Sequence, residues 1–101
     1  MSTIRVIIAD DNSRIRARLR ALLEREEGIE VVGEATNGRQ AVALVRELRP
    51  SLVTLDLEMP VMGGLEAIEE IMCAKAVPIL VLSSVADARV ALEAMELGAL
   101  E

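Results

Sequence analysis

Short apolar runs alternate four times with longer segments in which apolar residues recur at helical spacing. The runs have the length of strands and are rich in Val, Ile and Leu, which is typical of strands buried on both faces of a sheet. They comprise Ile4 to Ala9, Ile29 to Ala35, Leu52 to Leu55 and Val77 to Leu82. This alternation predicts an α/β fold, in which helices cover both faces of a parallel sheet.

The first segment between the runs has the pattern of an amphipathic helix. We expect this helix to be capped by Ser13 and to end before Gly28. Its apolar positions fall on one face, and they are Ile15, Leu19, Leu22 and Leu23. The run that follows carries Glu30 and Glu34, and charged residues of this kind suit a strand at the edge of a sheet.

Composition excludes several classes of function. The 101 residues suffice for one domain, and they include no aromatic residue and no histidine. Without histidine, Ser-His or Cys-His catalysis and most zinc sites are excluded. The single cysteine, Cys73, excludes an internal disulfide and fits a reducing compartment. Because the apolar runs are too short to cross a bilayer and no signal-peptide pattern is present, we expect a cytoplasmic protein without membrane contact.

The charge of the chain argues against nucleic-acid binding. Seventeen acidic residues against eleven basic ones give a net charge of −6. The basic residues are concentrated in the first predicted helix and comprise Arg14, Arg16, Arg18, Arg20 and Arg25. A solvated helix face is the simpler interpretation of this cluster, and a docking surface for an acidic partner is the alternative.

Acidic residues follow two of the predicted strands. Asp10 and Asp11 end the first run, and Asp56 ends the third. A single acid at a strand end is often only a helix cap. If the strand order is 2-1-3-4, however, the first and third strands flank the point where the order reverses, where ligands of such sheets bind. The three carboxylates would then converge.

Such a pocket, rich in oxygen and free of histidine, suits a hard cation such as Mg²⁺. A carboxylate beside this ion is able to attack a phosphoryl group, and Asp56 would be the acceptor. Ser83, at the end of the fourth run, offers a hydroxyl to a phosphoryl oxygen, and Glu58 offers a backbone carbonyl to the metal. No glycine-rich phosphate-binding motif of the dinucleotide or P-loop type is present.

These residues resemble the receiver domain of bacterial two-component response regulators. The resemblance covers Ile4 to Gly98 and is specific in combination. Its marks are Asp10-Asp11 after strand one, Asp56 followed by Met59-Pro60 and Gly64, and a hydroxyl residue at strand four. The stretches from Val53 to Ala67 and from Pro78 to Ser84 especially resemble the receiver of chemotaxis methylesterases.

The resemblance implies a flavodoxin-like, doubly wound parallel sheet of order 2-1-3-4. It also implies that a sensor histidine kinase phosphorylates Asp56 and that Ser83 acts as the switch hydroxyl. Mg²⁺ would be held by Asp11, Asp56 and the carbonyl of Glu58, with Asp10 contributing through water. The chain would then be a phosphoacceptor domain rather than an enzyme, although a full-length parent would be a protein-glutamate methylesterase.

Two departures from the family pattern affect what we expect. Gly63 stands where the family usually has an Asp, and the sequence ends at Glu101, before the family's fifth strand and helix. The lysine that normally ends the fifth strand therefore has no counterpart. Residues 1–101 are accordingly expected to form a truncated receiver domain lacking the fifth β/α unit, and to associate through the edge from Val77 to Leu82 and an uncovered face of helix one.

Three hypotheses follow. The first is a Mg²⁺-binding phosphoacceptor whose switching is impaired by truncation. The second is a self-associating module without phosphorelay activity. The third, a free-standing phosphohydrolase, is the weakest, because Glu58 occupies the position where such enzymes need a second catalytic Asp.

Overall fold

Four parallel strands form the centre of the fold in this computed structural model, which describes residues 3–74 and 77–81. The strands are β1 (Ile4–Ala9), β2 (Ile29–Ala35), β3 (Leu52–Leu55) and β4 (Ile79–Val81). Their order is β2-β1-β3-β4, and every neighbouring pair is parallel. The predicted fold class and strand order are therefore confirmed, with β2 at an edge of the sheet and the reversal of order between β1 and β3.

The fourth strand begins later than the sequence predicts. Val77 and Pro78 precede β4 rather than belonging to it, and Leu82 lies outside the described residues. Proline has no backbone N–H to donate to a ladder, so Pro78 contributes only its carbonyl, which accepts from the amide of Val53 at 3.0 Å. Regular pairing with β3 starts one residue further on, at Ile79.

Three helices connect the strands. They are α1 (Ser13–Glu24), α2 (Gly38–Leu48) and α3 (Gly64–Ala74). The predicted cap of α1 is wrong by one residue, because the side chain of Asn12, not that of Ser13, accepts from the amides of Arg14 at 2.9 Å and Ile15 at 3.2 Å. None of the helices in the described residues is long and apolar enough to span a bilayer.

The two faces of the sheet are covered unequally. The larger core lies on the side of α2 and α3, and the smaller one, under α1, centres on Val6, Ile8 and Val31. Within α1, Leu19 and Leu23 pack against this smaller core. The apolar stripe of α1 is only partly buried, because 40% of Ile15 and 57% of Leu22 remain exposed. These two residues lie seven apart, on the flank next to the Leu19–Leu23 line.

Candidate metal centre

Three acidic residues meet beside the carboxyl ends of β1 and β3. One carboxylate oxygen from each of Asp10, Asp11 and Asp56 lies within 4.8 Å of the others. The sheet brings these carboxylates together, because its backbone hydrogen bonds continue for one residue beyond the carboxyl ends of β1 and β3. The amide of Asp10 donates to the carbonyl of Ala35, and the amide of Asp56 donates to that of Ala9, each at 2.9 Å.

Asp10 is the deepest of the three. Its side chain is buried, and its Oδ1 accepts from the amide of Asn12 at 2.8 Å. This bond fixes the carboxylate within the turn that leads into α1, whose cap is Asn12 itself. Asp10 therefore does not act as the helix cap. Asp11 is exposed, so its carboxylate lies on the open side of the cluster.

Asp56 is partly buried, and its surroundings disfavour the charged form. Burial is the main reason that the pKa of Asp56 is raised, and the negative charges of Asp10, Asp11 and Glu58 raise it further. A hydrogen bond from the amide of Glu58 to Oδ1, at 3.1 Å, acts in the opposite direction. The folded chain thus holds a carboxylate that a nearby positive charge would stabilise.

The donor set fits Mg²⁺. Three carboxylates offer hard oxygen ligands, the type that Mg²⁺ takes from proteins while keeping several waters. Glu58 lies at the same loop with its side chain exposed. Ser83, the expected switch hydroxyl, lies outside the described residues. The structure therefore brings together the three predicted aspartates and places Glu58 beside them.

Two close backbone approaches shape the loop that follows Asp56. The amide of Gly64 donates to the carbonyl of Leu57 at 3.0 Å, and a Cβ on Gly64 would lie 2.4 Å from the Cα of Leu57. The amide of Gly38 donates to the carbonyl of Met62 at 2.8 Å, where a Cβ would lie 2.2 Å from that oxygen. Only glycine allows these approaches. No pattern in the sequence shows that the start of α2, at Gly38, contacts this loop.

Sequence reasoning missed Arg16. Its Nη1 donates to the backbone carbonyl of Asp10 at 2.7 Å, and its Nε donates to Oε1 of Glu34 at 3.2 Å. The sequence places Arg16 in the arginine cluster of the first helix, for which a solvated face is the simpler interpretation. Its position one turn into α1 was the only indication that it would reach the end of β1.

Comparison with known proteins agrees with this geometry. The family model described as the response regulator receiver domain matches residues 6–101. The chain belongs to this family. It is therefore a receiver domain of the kind found in two-component systems, and the family resemblance predicted from the sequence is confirmed.

The receiver domain is similar to a portion of much longer proteins. It is 62% identical over 98 residues to a protein-glutamate methylesterase/protein-glutamine glutaminase of Paramagnetospirillum magneticum, covering 97% of this chain and 28% of that relative. The chain thus spans about a quarter of the length of the curated relatives it matches.

Two solved structures illustrate the likeness of fold. The response regulator domain of CheB from Thermotoga maritima superposes with a TM-score of 0.93 at 33% identity, covering 97% of this receiver domain and 75% of that chain. A chain of the CheX-CheY-BeF₃-Mg²⁺ complex from Borrelia burgdorferi superposes with a TM-score of 0.88 at 25% identity, covering 97% of this receiver domain and 75% of that chain.

Proposed function

We propose that this receiver domain binds Mg²⁺ and accepts a phosphoryl group on Asp56 from a sensor histidine kinase. The observation that carries the proposal is the convergence of Asp10, Asp11 and Asp56 at the reversal of strand order. The relative from Borrelia burgdorferi, described as a complex with BeF₃ and Mg²⁺, supports the same assignment.

The three aspartates have different roles in this proposal. Asp10, Asp11 and Asp56, with the carbonyl of Glu58, would hold the cation, and Ser83 would contact the transferred group. Bound Mg²⁺ supplies positive charge that neutralises the phosphoryl oxygens. Asp56 is the acceptor because it ends β3 and remains partly open to solvent, whereas Asp10 is buried and already held by Asn12.

The proposed step exchanges one bond to phosphorus for another. An ionised carboxylate oxygen of Asp56 attacks the phosphorus of a phosphohistidine, and the O–P bond forms as the P–N bond breaks. The electron pair leaves with the imidazole nitrogen, which takes a proton from water. Burial raises the pKa of Asp56, so its oxygen is a stronger nucleophile once it is ionised.

A phosphorylation assay tests this function. We expect incubation with an acyl phosphate and Mg²⁺ to add one phosphoryl group, detected by intact-protein mass spectrometry. The adduct should be lost without Mg²⁺ and in Asp56→Asn. Glu66→Gln, which neutralises an exposed acid on α3, is the matched control and should retain it. An adduct that persists in Asp56→Asn would assign the phosphate to another residue.

We further propose that this domain regulates a methylesterase. The curated relatives carry the name protein-glutamate methylesterase/protein-glutamine glutaminase, and their matching portion is about a quarter of their length. Phosphorylation of Asp56 would then control an effector domain of that activity. A fusion of this domain to such an effector should show higher esterase activity after acyl phosphate treatment, and Asp56→Asn should abolish the increase.

Self-association is the second candidate function. The exposed apolar side chains of Ile15 and Leu22 on α1 favour it, because exposed apolar surface promotes contact between proteins. The predicted contribution of the edge from Val77 to Leu82 stays a prediction. Sedimentation equilibrium should show a dimer that Leu22→Lys converts to a monomer. A wild-type monomer at micromolar concentration would contradict this candidate.

A further inference from the structure

Arg16 joins the metal centre to the edge of the sheet. Its guanidinium donates from Nη1 to the carbonyl oxygen of Asp10 and from Nε to the carboxylate of Glu34, which lies in β2. Only 16% of the Arg16 side chain is exposed. The group therefore has a fixed place between α1, β1 and β2, whereas Arg14 and Arg18 of the same helix are exposed.

The carbonyl that Arg16 holds belongs to the peptide between Asp10 and Asp11. On the Asp10 side, the amide of Asn12 already fixes the carboxylate. On the Asp11 side, the exposed carboxylate makes no hydrogen bond among the described residues. The direction of the Asp11 side chain thus depends on the orientation of this peptide, whose carbonyl oxygen accepts the hydrogen bond from Arg16.

Charge balance keeps the guanidinium in this position. The carboxylate of Glu34 accepts from both Arg16 and Arg20, and Arg20 also pairs with Glu24. Two positive and two negative groups therefore compensate one another. Without Glu34, Arg16 would be free to turn toward the nearby aspartates and compete with a cation for them.

From this geometry we propose that Arg16 is a positioning residue for the metal centre: held by Glu34, it fixes the Asp10–Asp11 peptide so that Asp11 is presented to a divalent cation. The inference rests on the proposed function, since it assumes that the three aspartates bind Mg²⁺. It adds two residues to that site, neither of which touches the ion.

Arg16→Gln distinguishes positioning from charge. Removing a positive group beside three carboxylates should strengthen cation binding if only electrostatics matter. Loss of an outer partner that orients a ligand typically weakens metal affinity at least about tenfold. The two explanations therefore predict opposite changes in Kd. If Arg16 positions Asp11, the Kd for Mn²⁺ should rise about tenfold in Arg16→Gln, measured by electron paramagnetic resonance, and the Kd for Mg²⁺ should rise similarly, measured in competition.

Two further variants and one control separate the parts of the proposal. Arg16→Lys keeps the charge but lacks the fork of donors that reaches two acceptors, so it should also bind Mn²⁺ more weakly. Glu34→Gln should weaken binding by releasing Arg16. Arg18→Gln makes the same change of charge at an exposed position of α1 and should stay within about twofold of the wild type.

A measurement without metal tests the positioning role directly. The ¹⁵N resonance of the Asp11 amide, which shares its peptide with the carbonyl of Asp10, should move in Arg16→Gln and Arg16→Lys and stay in place in Arg18→Gln. Circular dichroism establishes that each variant is folded. If Arg16→Gln does not fold, Arg16→Lys supplies both readouts.

The outcomes are separable. Wild-type affinity in a folded Arg16→Gln or Arg16→Lys overturns the positioning role, and wild-type affinity in Glu34→Gln overturns the role given to that residue. A wild-type domain that binds neither Mn²⁺ nor Mg²⁺ overturns the proposed function itself, and the inference with it.

Discussion

The carboxylate of Asp56 is less favourable as an anion in the folded chain than in the unfolded one. Burial and the neighbouring acids raise its pKa above the ordinary value of 3.8. The folded state therefore binds this proton more tightly, so the contribution of Asp56 to stability is complete below that value and is lost as the pH rises through the raised pKa. Without divalent cations, Asp56→Asn should stabilise the domain at neutral pH and lose this advantage in acid.

Urea unfolding followed by circular dichroism at several pH values measures this difference. Glu66→Gln, at an exposed position of α3, serves as the control. An equal gain from Asp56→Asn at every pH would show that packing, not ionisation, is responsible.

Thr54 presents a second polar group in an unfavourable place. It is 2% exposed in the middle of β3, and its Oγ1 has no hydrogen-bond partner among the described residues. A buried polar atom left unpaired costs about 1–3 kcal/mol. Thr54→Val removes the hydroxyl at nearly constant volume and should raise the free energy of unfolding by about 1 kcal/mol.

The matched variant is Thr54→Ser, which keeps the hydroxyl and deletes the methyl group. It should lower the free energy of unfolding by about 1 kcal/mol through lost burial. Urea denaturation at constant pH checks both. Destabilisation by Thr54→Val would mean that the hydroxyl is hydrogen-bonded in solution, for example by an internal water.

At the scale of elements, the conformation of the loop between β3 and α3 depends more on Gly64, where α3 starts, than on the preceding Gly63. A Cβ on Gly64 would lie 2.4 Å from the Cα of Leu57 and 2.8 Å from the carbonyl oxygen of Asp56, which are backbone atoms. Gly64→Ala should therefore destabilise the domain by about 1–3 kcal/mol and weaken Mg²⁺ binding, because the backbone carrying Asp56 must shift. Urea unfolding and a Mg²⁺ titration measure the two effects.

Gly63→Ala provides the comparison within the same loop. Its Cβ would meet only the carbonyl oxygen of Leu57, at the ordinary contact distance of 3.9 Å. We expect little change in stability or Mg²⁺ affinity. Equal effects from the two alanine variants would indicate that loss of backbone flexibility, rather than the clash at Gly64, determines the outcome.

The strands could be predicted more accurately than the helix faces. The first three strands have the bounds of the predicted runs. Their ends are clear in the sequence because charged or turn residues interrupt the apolar pattern there. In α1, periodicity indicates an apolar stripe but not the rotation of the helix against the sheet. That rotation leaves Ile15 and Leu22 exposed while Leu19 and Leu23 pack inward.

The candidate site shows the same limit. The meeting of Asp10, Asp11 and Asp56 follows from parallel strands whose carboxyl ends share one edge, so position in the sequence suffices. The bond from Arg16 to a backbone carbonyl leaves no pattern in the sequence, because any arginine one turn into a helix has the same local spacing. Glu34 likewise matched the expectation for an edge strand and gave no indication that it holds two arginines.

Across the whole molecule, the metal centre joins elements that are distant in sequence. Asp10 and Asp11 follow β1, whereas Asp56 follows β3, and the loop after Asp56 is bonded through Met62 to the start of α2 at Gly38. A cation at this point would bind only when these elements are assembled. Occupancy of the site and folding of the domain should therefore be thermodynamically linked.

Mg²⁺ should accordingly stabilise the domain as a unit. A ligand that binds only the folded state adds about 2.7 kcal/mol when its concentration is 100 times the Kd. We expect the urea midpoint to be constant at Mg²⁺ concentrations below the Kd and to rise with the logarithm of the Mg²⁺ concentration above it. NaCl at matched ionic strength should give a smaller change. Asp11→Asn should reduce the response, because it removes one ligand without disturbing the buried Asp10. An unfolding transition insensitive to Mg²⁺ would show that the three carboxylates meet without forming a cation site.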